Sequence, residues 1–600
     1  MLGKIIAIEG NIVSVELEID LTKFQSLLNL HVVMQEATRT IIGEIVDINS
    51  KIAYVNLLGE IINNEFVYGI IKKPSFSATV KLVSKDKLPA IISVDKYDET
   101  KDLYIGESPI YEGVKIGMNI NEFFSNHFAI FGNTGSGKSC GTARLIQNLF
   151  DKKNLPYNAN IFIFDAYGEY HNAFKDISNI EEDINFKTYT TNLNFSDSEV
   201  LSIPLWLLGV DDIALLLGVE KATQLPIIEK ALQLVSVFAK ETEENEKIKN
   251  DIIARTLLEI ISSGKTAAQI RDQFVSTLSN YNTPTLNLAT IVYQPGYSRE
   301  LKQCLNIDAS GRIRDIDLVS TFLNEFLVGK YELVLPDGSF KYTIDHLVEA
   351  FDFALISEGS LVNNTVYEEM NILRVRIHGL ANSDERKYFE YPEYISRTDY
   401  IKELSTAPNG KKAQIINFNI NYIDDRLAKN ITKIYSKMLF EYCKNHKNEL
   451  KYPFHIILEE AHRYVQNDID RKVFGYNIFE RITKEGRKYG TLLGLISQRP
   501  SELSDTVISQ CTNFLIFKMI HPKDIDYIKE MVPNVTEQIV KNFKLLQPGN
   551  CIVFGSAFKV PCLVKVKMPS PAPDSSNCDV SGAWFTKHEI SKSIEEITLT

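Results

Sequence analysis

The chain has 600 residues, 44% of them hydrophobic and 24% charged, with a net charge of −12. That length exceeds a single core, so two to four domains are expected, and the composition is that of a globular protein, neither disordered nor fibrous. The acidic balance excludes a surface that is basic all over and leaves room for a local basic channel.

Seven cysteines, Cys140, Cys304, Cys443, Cys511, Cys551, Cys562 and Cys578, are scattered without a C-x-x-C pair or a zinc-spaced Cys/His cluster and read as reduced thiols. The first twenty residues, MLGKIIAIEGNIVSVELEID, lack the pattern of a signal peptide. No run reaches the roughly 18 to 20 consecutive apolar residues of a membrane span. The expectation is a cytoplasmic protein with no membrane contact.

Residues 1–105 carry short alternating segments at Lys4 to Ile8, Ile12 to Leu17 and Ile52 to Leu58, divided by turn signals at Gly10-Asn11, Asn49-Ser50 and Gly59. They predict a small β-barrel. From Leu103 the strand-like YIGESPIYEGVKIGM leads into HFAIFGNTGSGKSCGTARLIQNL, His127 to Leu149. This second stretch reads as buried strand, glycine-rich turn and helix. Gly132, Asn133, Thr134, Gly135, Ser136, Gly137, Lys138 and Ser139 fill the phosphate-loop pattern G-x-x-x-x-G-K-[ST], and Cys140 follows inside the helix. The glycines let backbone N–H groups turn toward a phosphate chain at the helix N-terminus. Lys138 adds charge near the β and γ phosphates, and Ser139 offers a hydroxyl to Mg²⁺. ATP and Mg²⁺ are the expected cofactors.

A continuous apolar run, Ile161 to Phe164, ends at Asp165, as suits a parallel strand buried on both faces with a carboxylate at its C-terminal end. Residues 189–403 turn mostly helical and read as an insertion, with a solvated charge run at 240–248. Strand-then-helix returns in AQIINFNINYIDDRLAKNITKIYSKMLFEYCKNH. The strand Phe454 to Leu458 then delivers Glu459 and Glu460, a Walker B arrangement. The first acid suits the Mg²⁺ shell and the second the attacking water. Downstream, Arg481, Lys484, Arg487 and Lys488 crowd one helix. They fit either an arginine reaching a neighbouring subunit's nucleotide or a basic face for DNA phosphates. A strand from Leu492 to Ser497 places Gln498 at its end, where a polar group can sense the γ-phosphate.

In this order GNTGSGKS, DAYGEY, ILEEAH, EGRKYG and ISQRP resemble the HerA branch of the HerA/FtsK superfamily of ring ATPases. The closing LLQPGNCIVFGSAFKVPCLVKVKMPSPAPD is similar to that branch as well. The resemblance implies an α/β fold with a P-loop RecA-like ATPase core at 106–188 and 404–567, a HAS-barrel-like domain at 1–105, the helical insertion at 189–403 and a tail at 568–600. It implies Glu459 as Walker B acid with Ser139 at the metal, Glu460 as catalytic carboxylate, Gln498 as sensor and Arg487 as a finger supplied in trans. Position 167, Tyr where that family has His in D-x-H-G-E-Y, receives no catalytic role.

Members of that family are hexamers that thread double-stranded DNA. They serve DNA end processing with a partner nuclease, or antiphage defence beside a nuclease or a sirtuin-like NAD-consuming effector, and the resemblance leans to the second. The expected function is an ATP-driven DNA translocase or helicase. A nucleotide-gated scaffold for an effector is the alternative, and a protein or conjugative transfer motor ranks third. The tail, with Pro569, Pro571, Pro573 and then Trp584-Phe585, fits either a linker with a docking peptide or a brace on a neighbouring subunit.

Overall fold

The computed structural model describes residues 1–20, 26–63, 65–194, 199–294, 296–329, 331–357, 364–446, 452–531, 537–575 and 578–585. The N-terminal strands are β1 (Gly3–Glu9), β2 (Ile12–Leu17), β3 (His31–Gln35), β4 (Thr40–Asn49), β5 (Ile52–Ile62), β6 (Glu65–Tyr68) and β7 (Thr79–Leu82). They pair in the order β2-β1-β7-β3-β4-β5, and β5 pairs back to β2, closing a six-stranded barrel with β6 added outside β5. Alternation explains the closure. Val13, Val15, Val32, Met34, Ile41 and Val55 fill the barrel, while Ile42 and Leu58 point outward and join a core shared with the large sheet.

The remaining strands of the body are β8 (Asp102–Glu107), β9 (Lys115–Asn119), β10 (His127–Phe131), β11 (Asn160–Asp165), β12 (Phe186–Thr190), β13 (Glu199–Val200), the hairpin β14 (Ile291–Gln294) and β15 (Tyr297–Glu300), β16 (Ile415–Asn419), β17 (Phe454–Leu458), β18 (Thr491–Ser497), β19 (Cys511–Ile516), β20 (Asn550–Gly555) and β21 (Cys562–Val566). All but the hairpin form one twelve-stranded sheet, β13-β12-β16-β11-β17-β18-β10-β19-β20-β21-β8-β9. From β13 to β19 neighbours run parallel, and from β19 to β9 they run antiparallel. The stretch after Leu103 is therefore a hairpin on the sheet's far edge, joined through β21, before the chain crosses to β10.

Strands β10, β11, β17 and β18 are buried at every residue, as a parallel sheet covered on both faces requires. Phe128 and Ile130 face the helix Lys138–Phe150, whereas Ala129 and Phe131 face the opposite layer. That layer contains the helices Asp425–Asn445 and Ile478–Tyr489 and continues without a break into the helices of 210–404, so the insertion shares one core with the sheet. Among the described residues no helix is long and apolar enough to cross a membrane.

Phe164 is wholly buried, with its ring 5.0 Å from Phe418 and 6.3 Å from Tyr435, where sheet and helix layer meet. Phe164→Ala is expected to cost about 3–5 kcal/mol, read as a lowered urea midpoint at unchanged slope. A shift under about 1 kcal/mol would mean the layer closes over the cavity.

Candidate nucleotide-binding and catalytic site

Spatial order β11-β17-β18-β10 brings Asp165, Glu459 and Glu460, Gln498 and the 132–139 loop to one edge, because parallel strands all end on the same side. They surround a cavity of ≈ 550 Å³. Gly137 opens the helix Lys138–Phe150 at φ 100°, and a Cβ there would lie 2.9 Å from the Gly549 nitrogen, so the loop passes too close to the 548–549 turn for any side chain. Gly549 N–H in turn donates to Ser136 O at 3.0 Å. Thr134 Oγ1 donates to Gln498 Oε1 at 2.7 Å, and Asn133 Oδ1 accepts from the Ile520 N–H at 2.9 Å. Ser136 Oγ is buried without a hydrogen-bond partner. Cys140 lines the cavity beside Ser575, and burial raises its thiol pKa.

Lys138 Nζ sits 3.7 Å from Glu460 Oε1, both side chains buried. Glu460 takes a left-handed backbone, φ 46°, sparsely populated for a residue with a Cβ. That conformation turns its carboxylate back toward the loop at the strand end. His462 Nδ1 lies 3.3 Å from Glu460 Oε2 and 3.1 Å from Ser497 Oγ, and burial lowers its pKa, leaving the ring neutral.

Burial, then the neighbouring Asp165 and Glu169 carboxylates, hold the Glu459 carboxyl well above the usual carboxylate range. Asp165 is pinned by N–H groups of Glu169 and Tyr170 at 3.0 and 2.9 Å and by Asn417 Nδ2 at 3.2 Å. Burial also raises Glu169, which hydrogen-bonds the Ser139 hydroxyl. One oxygen each of Glu459 and Glu169 is buried without a hydrogen-bond partner.

Crowded carboxyls with orphaned oxygens beside a loop hydroxyl fit a divalent cation, which would relieve their repulsion. Among the described residues no three His, Cys, Asp or Glu groups converge as a complete ligand set. That suits Mg²⁺, which keeps waters and phosphate oxygens in its shell and takes few protein ligands.

Arg487 stands apart. It is exposed near the C-terminal end of the helix Ile478–Tyr489, close enough to influence His127 at the start of β10. The 132–139 loop leaves the opposite end of that strand. Along β18, Thr491 and Gln498 are separated by a rise of roughly 23 Å. Arg487 therefore faces away from its own chain's loop.

Three groups at the site escape local sequence signals. Glu169 and His462 belong to the quoted DAYGEY and ILEEAH, but nothing in those strings tells which acid meets Ser139 or which group flanks Glu460. The third is the chain after β21. Residues 566–575 cross the phosphate-loop helix as a strap: Gln147 Nε2 donates to Pro571 O at 2.9 Å and its Oε1 accepts from Ser570 N–H at 3.1 Å. Asn172 Nδ2 donates to Ala572 O at 2.9 Å, and Asp574 N–H to Glu169 O at 2.9 Å. Lys567, Met568 and Ser575 thereby wall part of the cavity. The tail up to Ser575 thus lies on its own subunit, and its last stretch, 586–600, falls outside the described residues.

Residues 103–439 match the family model described as helicase HerA, central domain. The chain is 23% identical over 531 residues to the DNA double-strand break repair helicase HerA of Pyrococcus furiosus, covering 87% of this chain and 79% of that one. It is 22% identical over 488 residues to the probable DNA double-strand break repair helicase HerA of Methanocaldococcus jannaschii, covering 80% of each. Among solved structures, VirB4 of Thermoanaerobacter pseudethanolicus aligns over 78% of this chain and 96% of its own at TM-score 0.38 and 12% identity, a likeness too distant to add to the family match.

Gln147→Leu removes both strap bonds made by that amide and is expected to free the segment, read as faster tryptic cleavage after Lys567 with the rest of the digest unchanged. Equal cleavage rates would place the hold on the strap elsewhere.

Proposed function

The chain belongs to the family of helicase HerA central domains and is an ATPase of that helicase type, and from this premise we propose that it works as a homo-hexameric ring that drives translocation along double-stranded DNA. The observation that carries the reading is the split of the sheet's two edges: the loop, Glu459, Glu460 and Gln498 at one, Arg487 at the other. A ring repeats such a split interface without free ends.

In this reading the N–H groups of 132–139 and Lys138 bind the β and γ phosphates. Incoming phosphate competes with Glu460 for Lys138, separating a pair now 3.7 Å apart. Glu460, released, orients the attacking water and accepts its proton, while His462, neutral and 3.3 Å away, steadies the carboxylate. Ser139 and Glu459 are the residues that would hold Mg²⁺, which would supply neutralisation of charge on the phosphates. Gln498, already joined to Thr134, reads whether a γ-phosphate is present. Arg487 of the adjacent subunit reaches the γ-phosphate and stabilises the transition state.

A second reading, a nucleotide-gated scaffold for a nuclease or a sirtuin-like NAD-consuming effector in end processing or antiphage defence, draws on the strap. The strap lines the nucleotide cavity, and later in the chain Trp584 and Phe585 are 78% and 85% exposed.

ATP hydrolysis with and without linear duplex DNA, measured beside the mass in solution, separates the two. A hexamer strongly stimulated by DNA supports the motor, and a hexamer indifferent to DNA supports the scaffold. Glu460→Gln is expected to bind ATP and retain it unhydrolysed; failure to bind would remove Glu460 from the catalytic role.

Arg487→Ala should lower turnover by about 10³–10⁵ in an intact ring. Mixing it with Lys138→Ala subunits should restore part of the activity, because some interfaces then pair a sound loop with a sound arginine. No recovery in mixed rings of confirmed composition would show that Arg487 does not act in trans.

A further inference from the structure

Between the barrel and the large sheet lies a cavity of ≈ 200 Å³, apart from the nucleotide site. Its floor is the outward face of β3 and β4, where His31 and Glu44 are cross-strand partners and point the same way. Its walls include Ile110 and Tyr111 from the β8–β9 turn, Leu546, and Cys562 of β21. A second cavity of ≈ 280 Å³ shares Glu44 and continues past Asp47, Tyr68 and Lys541.

Glu44 is the anomaly. Burial pushes its carboxyl up to about 7, and no charged or hydrogen-bonding partner among the described residues offsets that burial. His31 cannot do so: burial pulls its imidazole down to about 4, so the ring is neutral. The Tyr111 hydroxyl accepts from the His31 backbone N–H at 2.7 Å and lies in hydrogen-bond contact with the ring Nδ1 at 2.9 Å. Cys562, its thiol pushed up to about 12 by burial and then by Glu44, is neutral as well. Among the described residues that line this cavity, the half-buried Glu44 is thus a potential negative charge with no counter-charge beside it. Desolvating an unpaired carboxylate is costly, so a group that enters the cavity with a positive charge and N–H donors would be held there.

We propose that this cavity binds a small organic cation, a guanidinium or ammonium head on a short apolar chain, with Glu44 as its counter-charge and Ile110 and Leu546 against the chain. An anion would face the carboxylate. The volume lies below the roughly 300–1,000 Å³ of sites for drug-sized ligands, so the guest is compact. Because floor and walls come from different layers, the bound cation ties the barrel to the edge of the ATPase sheet.

Calorimetry of the full chain with butylguanidine tests this, with butylurea as an uncharged control of the same shape. Butylguanidine should bind and butylurea should not. The cation needs the ionised carboxyl, and a carboxyl titrating near 7 is mostly protonated at pH 6. Affinity should therefore fall about tenfold from pH 8 to pH 6. His31, Tyr111 and Cys562 stay neutral across that range, and Asp47 and Lys541 lie in the outer cavity.

Glu44→Gln keeps the shape and removes only the charge. It should hold its thermal midpoint and its ATPase rate, bind butylguanidine at least tenfold more weakly, and show no dependence on pH. Absence of butylguanidine binding to the natural chain at millimolar concentration, or equal binding by a folded Glu44→Gln, would overturn the proposal.

Discussion

Parallel pairing of β11, β17, β18 and β10 is the constraint on which the rest depends. Each strand is buried on both faces, so its length and register are set by apolar packing, and each must then end where the sheet meets solvent. Four separate stretches of sequence thus deliver their first polar side chains to a common line. The polar residues did not need to find each other; the pleat of the sheet brought them together. The cost falls on the acids, which crowd at one edge within a poorly solvated pocket.

That crowding gives the site its electrostatic character. Asp165 is fixed by three donors and remains the anchor, while Glu459, with one oxygen left without a donor, has its carboxyl pushed well above the usual range by burial and by its acidic neighbours. Glu460 escapes by turning back into the left-handed region and leaning on Lys138. The site therefore holds its own charges in mutual check until a ligand with both phosphate and cation arrives, and each of these would relieve a different part of the strain.

Much of this was legible in the residues. The 132–139 loop, the Asp165, Glu459 and Gln498 strand ends and the helical character of the insertion follow from apolar runs ending in polar groups. Barrel closure was hinted at by alternation in β1, β2 and β5. The contacts that escaped are those with no local signature. Gln147 meets Pro571 across more than four hundred residues, and an amide on a helix carries no mark of its partner. The Leu103–Met118 stretch reads as one strand but folds as a hairpin, because the turn at Gly113 is only decided once β21 offers an edge. Glu44 looks like any solvated strand residue; only the apposition of barrel and sheet half-buries it.

The interleaved strand order has a consequence for how the chain is made. β11 pairs with β16, about 250 residues later, and β10 with β18, about 360 residues later. On a ribosome adding about 5–20 residues per second, these apolar strands wait roughly 12 to 70 seconds for their neighbours. During that time the barrel has everything it needs to close, while two strands with apolar centres stand with open edges, the state most prone to sticking to other chains. Yield of this protein in a cell should thus be governed by what shields β10 and β11 while the insertion is being synthesised.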